Sequence, residues 1–396
     1  MAETVLIAAL SGRGLAAFAR RAGYLPLVAD AFGDDDTAEH AAATRCVTDA
    51  ARIGFRAKPL FAALAELAAS APAPPIGLVL GSGFEDRPKL IAALSRRYRL
   101  IGNNAETIAR AKSPTGLCSL LDTLGIAHPD TQLAPPDDAR GWLSKRIGGS
   151  GGTHIIAAGA YERGTRRYFQ RHLDGEPFSV LAIAACGGVQ IVGLTRQWTV
   201  GSGPRPYRYG GAVGPVELPP ATDAAMRSAV ERICAALDLV GLVAFDFLLA
   251  GGTPHLVDVN PRPSATLDVF DDRSGALFEA HLAACAGRTP RLPATPGPRA
   301  AAVLYADPGP LTIGTFLWPE WTADRPTPAA HIPRWRPIAT VMAAAETPEI
   351  AFDSCRRRLD ELAEMLYAQA PDRERNNNAE VHRPRPERLG ARSEAR

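Results

Sequence analysis

The sequence lacks the features that mark secreted and membrane proteins. Its N-terminus shows no succession of basic segment, apolar segment and cleavage site, and no apolar run is long enough to span a bilayer. Its six cysteines include no close pair, which fits neither a disulfide framework nor a zinc site. We therefore expect a cytoplasmic protein that has no membrane partner.

A strong charge of one sign is missing as well. The formal net charge is only +2, so the composition does not favour nucleic acid as a partner. The eight histidines form no ligand pair at helical spacing, and no Ser-His-Asp or Cys-His set stands out. What is present is a chain of 396 residues, 46% of them hydrophobic, which is enough for a sizeable core and two or three lobes.

The chain divides into segments that differ in their pattern of apolar residues and turns. In residues 1–103, short apolar strands alternate with helical stretches, which predicts a Rossmann-like α/β lobe with a parallel sheet. Residues 104–287 open with a predicted helix, Ala105–Gly125, and continue as strands joined by Gly-rich turns, which predicts an α+β core with an antiparallel sheet. Residues 288–370 are predicted to form a small β-plus-helix domain. Residues 371–396 have almost no apolar side chains and are predicted to form a disordered tail.

Two apolar runs joined by a Gly-Gly turn carry the strongest chemical signal. If they pair as a hairpin, Asp246 lies opposite Asp258, and the two-residue period of a strand puts Asp258 and Asn260 on one face. These hard oxygen ligands suit Mg²⁺ bound jointly with phosphates, and Arg262 follows where it can face a phosphoryl oxygen. The alternative is an apolar hairpin with solvated polar ends. We favour the metal site because polar groups on apolar strands need partners.

The segment Asp258-Val259-Asn260-Pro261-Arg262 resembles the metal-binding strand of the ATP-grasp superfamily, whose first residue is usually Glu. In that family the partner carboxylate comes from the preceding strand, and Asp246 matches it. The resemblance implies an ATP-grasp fold with a Rossmann-like pre-grasp lobe, an antiparallel-sheet ATP-binding core and a small C-terminal segment. It also implies ATP and one or two Mg²⁺ ions, for which Mn²⁺ can substitute. Within the superfamily, the chain resembles the predicted ATP-dependent carboligases and the biotin-carboxylase-like members.

Two lysines and a Gly-rich loop precede this hairpin in the order typical of the family. Lys145 leads from a strand into the loop and resembles the lysine of the family's phosphate lid, which here spans about residues 130–175. Lys112 resembles the second phosphate-binding lysine, although the Asp that often precedes it is Ala111. The loop residues are Gly148, Gly149, Ser150, Gly151 and Gly152. An ordinary turn and a solvated helix lysine are the alternatives, since the loop does not match a Walker A motif.

A stretch that ends in Asp-Gly-Glu resembles the adenine hinge of the same family. The resemblance implies that backbone groups between Gln170 and Leu173, a run that includes Arg171 and His172, bind the adenine edge. It also implies that Glu176 accepts hydrogen bonds from the ribose hydroxyls. Taken alone, the Asp-Gly-Glu sequence would be an ordinary turn, and only its place in the series of motifs points to a nucleotide.

A basic, aromatic and Gly-rich loop after the hinge is the candidate for substrate recognition, because arginines can clamp a carboxylate through bidentate contacts. Its candidate contact residues are Arg196, Arg205, Arg208, Tyr209 and Gly210. Ser82 is a further candidate, because it follows a predicted strand of the first lobe and ligands bind beyond the carboxyl ends of parallel strands. A solvated insertion and a helix N-cap turn are the respective alternatives.

The resemblance, together with these features, implies an ADP-forming ligase that activates a carboxylate as an acyl phosphate and joins it to an amine, with Arg262 and Lys145 as catalytic residues. Ligation of an amino acid to a cofactor precursor is one form of this reaction. The predicted partners are small-molecule carboxylates and amines, and a homodimer is compatible with the sequence. A carboxylase or kinase of the same fold and a non-catalytic ATP sensor remain alternatives. A nicotinamide oxidoreductase that uses the Gly12-x-Gly14 turn is a further one.

Overall fold

The N-terminal part of the chain alternates strands and helices. The computed structural model describes residues 2–160, 166–203 and 205–368, and the predicted tail at 371–396 lies outside them. The elements of this part are β1 (Thr4–Ala8), α1 (Arg13–Arg21), β2 (Leu25–Asp30), α2 (Asp35–His40), β3 (Ala43–Cys46), α3 (Ala50–Ile53), α4 (Ala57–Ser70), β4 (Leu78–Leu80) and α5 (Pro88–Ser95).

The four strands of this part form one parallel sheet in the order β3-β2-β1-β4. β1 is apolar and buried along its whole length, as expected for a central parallel strand covered on both faces. The chain travels outward from β1 to β3 and then returns to place β4 on the other side of β1. Open α/β sheets bind ligands at the carboxyl ends of strands beside such a reversal, and Ser11 and Ser82 lie there.

The central part begins with two short helices, where the sequence predicted one. These helices are α6 (Ala105–Ala111) and α7 (Pro114–Thr123). The prediction of a single helix over Ala105–Gly125 was wrong, because Pro114 has no N–H to continue the helix and disfavours helical geometry in the residue before it. Lys112 lies at the break and is buried rather than solvated.

A small sheet and a large one follow these helices. The small sheet has the order β5-β8-β6-β7, and the strands of the large sheet that belong to this part pair antiparallel. The elements are β5 (Thr131–Gln132), β6 (Trp142–Arg146), β7 (Ile156–Ala157), β8 (Arg167–Arg171), β9 (Glu176–Ala185), β10 (Gly188–Thr199), β11 (Tyr209–Gly214), α8 (Pro220–Leu237), β12 (Gly241–Ala250), β13 (Thr253–Asn260) and α9 (Ala276–Cys285), with 3₁₀ turns at Ala158–Ala160 and Ala265–Asp268.

The C-terminal part extends the large sheet, which runs β13-β12-β9-β10-β11-β14-β18-β16. Its β14 pairs with β11, so the sheet continues through the predicted boundary at residue 288. The elements of this part are β14 (Arg299–Tyr305), β15 (Leu311–Thr312), β16 (Thr322–Ala323), β17 (His331–Ile332), β18 (Pro337–Ala344) and α10 (Pro348–Ala368). No helix within the described residues has the length and apolar character needed to cross a bilayer.

Helices cover both faces of the large sheet. Apolar residues of α8 pack on one face, and those of α9 pack on the other together with α1 of the N-terminal part. The α10 helix covers the C-terminal strands. Because one core cluster joins α1, α9 and the large sheet, the N-terminal part is fixed against the large sheet, which includes the β12–β13 hairpin.

Candidate active site

A cavity of about 800 Å³ lies between the parallel sheet, the small sheet and the large sheet. The small sheet and the loop between β6 and β7 cover it, and we call these residues, about 130–175, the lid. The hairpin of β12 and β13 contributes one wall, and the ends of β1, β2 and β4 contribute another. A cavity of this size can hold a nucleotide together with a small substrate.

The β12–β13 hairpin brings three oxygen-bearing side chains together. The strands pair so that Asp246 lies opposite Asp258 and Ala244 lies opposite Asn260, as the alternation of the sequence predicted. The amide nitrogen of Asn260 donates to Asp246 Oδ2 at 2.9 Å. These three side chains line the cavity. The neighbouring strand residues are apolar because they fill the core on the two faces of the sheet.

This group of side chains has a deficit of positive charge. Burial raises the pKa of Asp246 above its usual range, and the neighbouring Asp258 carboxylate raises it further. Lys112 supplies one counter-charge, since its Nζ lies 2.7 and 2.9 Å from the two Asp258 oxygens and 3.2 Å from Asn260 Oδ1. A cation is therefore favoured between the carboxylates and the cavity.

The donor set fits Mg²⁺ held jointly with phosphates. No group of three or more His, Cys, Asp or Glu side chains among the described residues could hold a metal ion by itself. Two carboxylates and one amide oxygen at the cavity wall leave coordination positions for phosphate oxygens and water, as Mg²⁺ prefers. Asp246, Asp258 and Asn260 would hold such an ion.

Arg262 follows the hairpin and is fixed by a residue from the N-terminal part. Its Nε donates to Glu85 Oε1 at 2.5 Å, while Glu85 Oε2 accepts the N–H groups of Gly83 and Phe84. Burial alone would raise the pKa of Glu85, but the Arg262 guanidinium and then Lys112 outweigh it and lower that pKa to about 2. Glu85 is therefore a permanent carboxylate at neutral pH. It holds the Arg262 guanidinium at the cavity wall beside Asn260.

Lys145 points into the cavity from β6. Its Nζ donates to Gln170 Oε1 on the paired strand β8 at 2.5 Å. Burial lowers the pKa of Lys145 to about 8, because the Asp258 and Asp246 carboxylates only partly offset the loss of hydration. His154 lies nearby and is neutral, since burial and then the Lys145 charge lower its pKa to about 3. Phosphate oxygens would favour the charged form of Lys145.

The Gly-rich loop after Lys145 lies against two other parts of the protein. Tyr209 N–H donates to the Gly151 carbonyl at 3.0 Å, and a Cβ at Gly152 would overlap the Tyr207 carbonyl oxygen. A Cβ at Gly148 would lie 2.7 Å from the backbone of Glu85. The lid is thus in contact with both the N-terminal part and the large sheet, and its Gly-rich loop lines the cavity.

The family of the central part follows from the sequence as well as from this geometry. Residues 117–266 match the model of the ATP-grasp domain family. This range includes Lys145, the lid loop and the hairpin through Arg262. The chain contains an ATP-grasp domain.

Solved structures extend the ATP-grasp likeness over nearly the whole chain. An ADP complex of N5-carboxyaminoimidazole ribonucleotide synthetase aligns at 14% identity with a TM-score of 0.66, over 92% of this chain and 97% of that one. Biotin carboxylase from Campylobacter jejuni aligns at 14% identity with a TM-score of 0.66, over 88% of this chain and 89% of that one. The biotin carboxylase domain of 2-oxoglutarate carboxylase from Hydrogenobacter thermophilus aligns at 12% identity with a TM-score of 0.68, over 92% of this chain and 90% of that one. No curated protein sequence matches the chain. The predicted ATP-grasp fold is confirmed.

Most of the predicted adenine hinge borders the cavity, and Glu176 is the exception. Gln170, Arg171, His172 and Leu173 line the cavity. The N–H groups of Arg171 and His172 already donate within the protein, to Asp130 and Gly141, so an adenine edge would contact carbonyl oxygens of this run or Leu173. Glu176 differs from its prediction, because it is an exposed residue at the start of β9 and does not line the cavity.

The arginine-rich loop of the ATP-grasp domain does not form the predicted carboxylate clamp. The Arg208 guanidinium is fully buried, donates to both Asp307 oxygens at 2.9 and 2.7 Å, and lies 3.7 Å from the Tyr305 ring centroid. These contacts occupy the guanidinium N–H groups with which Arg208 was expected to bind a substrate carboxylate. The structure therefore corrects Arg208 from a ligand-binding residue to one that joins β11 to β14.

Three other residues predicted for this loop also lie outside the cavity lining, and two of them, Arg196 and Gly210, belong to strands β10 and β11. Arg196 lies over the Phe352 ring, and Arg205 donates to the Trp335 carbonyl oxygen at 3.1 Å. Gly210 packs under Trp198, where a Cβ would lie 2.6 Å from the indole. Of the candidate substrate residues, Tyr209 and Ser82 do line the cavity.

Sequence reasoning missed a charged group at the end of the cavity away from the hairpin. Arg13 in the first turn of α1 donates to both oxygens of Asp268 at 2.7 Å and to Asp324 at 2.9 and 3.2 Å. One guanidinium thereby joins the N-terminal part, the segment after the hairpin and the C-terminal part. Local sequence carries no signal for this contact, because Asp324 lies 311 positions from Arg13.

Proposed function

We propose that the chain is an Mg-ATP-dependent ligase that activates a carboxylate as an acyl phosphate and joins it to an amine. The observation that carries the proposal is the convergence of two phosphate-seeking lysines, a set of Mg²⁺-type oxygen ligands and an anchored arginine on one cavity. The solved neighbours support an ATP-dependent reaction, since two of them were determined with ADP and one of these with magnesium and bicarbonate.

In this proposal the protein contributes positioning and charge. Lys145 and the N–H groups of the lid loop bind the phosphates, and Lys112 moves from Asp258 toward them when a divalent ion neutralises that carboxylate. Asp246, Asp258 and Asn260 would hold Mg²⁺, which would supply charge stabilisation for the transferred phosphoryl group.

The first chemical step is phosphoryl transfer to a carboxylate. An oxygen of the substrate carboxylate forms a bond to the γ-phosphorus, and the bond from that phosphorus to the β,γ-bridging oxygen breaks, which releases ADP. Arg262, held by Glu85, faces the charge that develops on the transferred group.

The second step is capture of the acyl phosphate. The nitrogen of an unprotonated amine forms a bond to the carbonyl carbon, the carbon–oxygen bond to phosphate breaks, and the proton that the nitrogen loses leaves with the released phosphate. The contacts of the lid loop with Tyr207, Tyr209 and Glu85 exclude water, which would otherwise hydrolyse the intermediate.

The test is ADP and phosphate release by the purified full chain with Mg-ATP and a panel of carboxylates, each paired with amines and with hydroxylamine. The panel includes bicarbonate because of the neighbour solved with it. We expect ADP release that depends on one carboxylate class, with a hydroxamate formed from it. The variant Asp258→Ala controls for contaminating ATPases. ATP binding without carboxylate-dependent turnover across the panel would instead favour the sensor alternative.

A further inference from the structure

The end of the cavity away from the hairpin is rich in carboxylates. It is formed where β1, β2 and β4 end and where the C-terminal part reaches over the N-terminal sheet. Asp34, Asp268 and Asp324 line it, and Asp30 and Asp36 lie directly behind them. Arg13 is engaged by two of these carboxylates, Asp268 and Asp324, and Arg325 Nε lies 3.9 Å from a third, Asp36 Oδ2.

All but one of these carboxylates have hydrogen-bond partners within the protein. Asp30 and Asp36 each accept from two backbone N–H groups. Asp268 accepts from the Arg13 guanidinium, and Asp324 accepts from that guanidinium and two hydroxyls. Asp34, in contrast, has no hydrogen bond to its side chain among the described residues, although it is only 6% exposed.

An ionised Asp34 is costly, because its carboxylate is buried among other carboxylates. Burial and then the Asp324, Asp30 and Asp36 carboxylates raise its pKa to about 8, since Arg13 only partly offsets them. A cationic ligand beside Asp34 would remove this cost, because it would supply both the missing hydrogen bond and the missing charge. No group of three or more His, Cys, Asp or Glu side chains among the described residues could hold a metal ion by itself, so the carboxylates favour an organic cation over a metal ion that they alone would hold.

An aromatic side chain two positions before Asp34 in the sequence lines the same cavity. Phe32 follows β2, lines the cavity and is 42% exposed, which is unusual for a residue of its size. An aromatic face next to a carboxylate suits an ammonium group on an apolar stem, because the ring attracts the cation and covers the stem. The Ser82 hydroxyl lies at the neighbouring strand end, within the same cavity.

We propose that this end of the cavity is a binding site for a cationic amine, in which Asp34 pairs with the ammonium group and Phe32 packs against its stem. The inference rests on the proposed function, for which it names the acceptor as a primary amine that binds as an ammonium ion and gives one proton to water before its nitrogen attacks the acyl phosphate. It also gives the two substrates separate ends of one cavity, with the phosphates at the hairpin and the amine at the ends of β1, β2 and β4.

The test is isothermal titration of the full chain with n-butylamine, 1,4-diaminobutane, glycine methyl ester and L-lysine methyl ester, each compared with its N-acetyl derivative. The titrations are made with and without Mg²⁺ and a non-hydrolysable ATP analogue. We expect at least one amine to bind about tenfold or more tightly than its acetylated derivative. We also expect binding near pH 7 to release up to about one proton, because the ammonium favours the ionised form of Asp34.

Variants locate the site. Asp34→Asn should weaken amine binding about tenfold or more and abolish the proton release, while Asp35→Asn, its neighbour outside the cavity lining, should change neither. Phe32→Leu should retain more of the amine binding than Phe32→Ala, because leucine still covers the apolar stem of the amine. This comparison tests the amine site even if Asp34→Asn does not fold. The groups that face Asp34 and contribute to the same titration are Arg13, Asp30, Asp36, Cys46 and Asp324.

The outcomes separate this inference from the proposed function. Equal binding of amines and their acetylated derivatives, or binding of neither, overturns the amine site even when the nucleotide binds. Failure of the nucleotide to bind while an amine binds through Asp34 would overturn the ligase proposal and leave the amine site standing. Amine binding that Asp34→Asn and Phe32→Ala both leave unchanged would place the amine elsewhere and overturn the inference.

Discussion

Lys112 donates to both carboxylate oxygens of Asp258, at 2.7 and 2.9 Å, in the wall of the cavity. The sequence predicted a phosphate-binding role for Lys112 and a metal-binding role for Asp258, and the structure joins the two in one ion pair. The pair balances the charge of one of the two hairpin carboxylates, Asp258. In the proposed function, a divalent ion held by Asp258 would free the Lys112 ammonium group for a phosphate.

The first prediction concerns Asp258. Asp258→Asn removes the charge that would attract Mg²⁺ and leaves Lys112 with a weaker partner, so turnover should fall by about 100-fold or more. Asp258→Glu restores the charge on a longer side chain and should retain most of the turnover. The measurement is the Mg²⁺ dependence of ADP release for each variant. Equal Mg²⁺ dependence in Asp258→Asn and the wild type would contradict the assignment of the metal site.

The second prediction concerns the residue that holds Arg262. Glu85→Ala should lower kcat more than it raises KM, because it leaves Arg262 free to turn away from the transferred phosphoryl group. Loss of one partner of this buried pair should also cost about 3 kcal/mol of the free energy of unfolding. Glu85→Gln keeps an acceptor for the Arg262 N–H and should recover part of kcat. A purely structural role would lower the unfolding free energy and leave the kcat of the folded fraction unchanged.

The hairpin and the charged contacts differ in how far they could be predicted. Asp246, Asp258 and Asn260 lie within one hairpin, so the two-residue period of the strands and a Gly-Gly turn were enough to place them together. Glu85 meets Arg262 across 177 positions, and only the packing of the N-terminal sheet against the large sheet creates the contact. No local pattern encodes such a partner.

The same distance in sequence explains the error at Arg208. A loop rich in arginine, tyrosine and glycine resembles a ligand-binding loop, and its sequence cannot distinguish substrate from a distant carboxylate. The partner, Asp307, lies 99 positions later on the segment after β14, and it takes both arms of the guanidinium. The broken helix at Pro114 is a different case, since the proline itself carried the information.

The third prediction concerns pH. Lys145 is charged below its pKa of about 8 and neutral above it, so its attraction for phosphates is complete below that pH and is lost as the pH rises. Nucleotide binding raises this pKa by favouring the charged form. Mg-ATP affinity should therefore fall above about pH 8, by at most about tenfold per pH unit.

Nucleotide titrations between about pH 7 and about pH 9.5 measure this effect. Lys145→Met should bind Mg-ATP more weakly at every pH and should lose the fall above about pH 8. Lys145→Arg, whose guanidinium stays charged over this range, should also show a flat profile. A fall of the same steepness in Lys145→Met would assign the titration to another group.

The fourth prediction uses two adjacent glycines of the lid loop as a matched pair. Gly151 and Gly152 have φ values of +69° and +70°, so an alanine at either position costs about 1–2 kcal/mol in backbone strain. Only at Gly152 does the added methyl group meet the Tyr207 carbonyl oxygen, whereas at Gly151 nothing lies within 4 Å of it. Gly152→Ala should therefore displace the loop from the large sheet, and Gly151→Ala should not.

The displaced loop should admit water to the cavity, because the contact with Tyr207 and Tyr209 closes it on that side. We expect Gly152→Ala to raise the ratio of ADP released to amide formed, as water captures part of the acyl phosphate, while Gly151→Ala keeps that ratio near the wild-type value. Measurement of ADP and product in the same reaction gives the ratio directly. If both variants couple ATP use to product equally well, the contact between the lid loop and Tyr207 does not protect the intermediate, and water exclusion must come from another part of the lid.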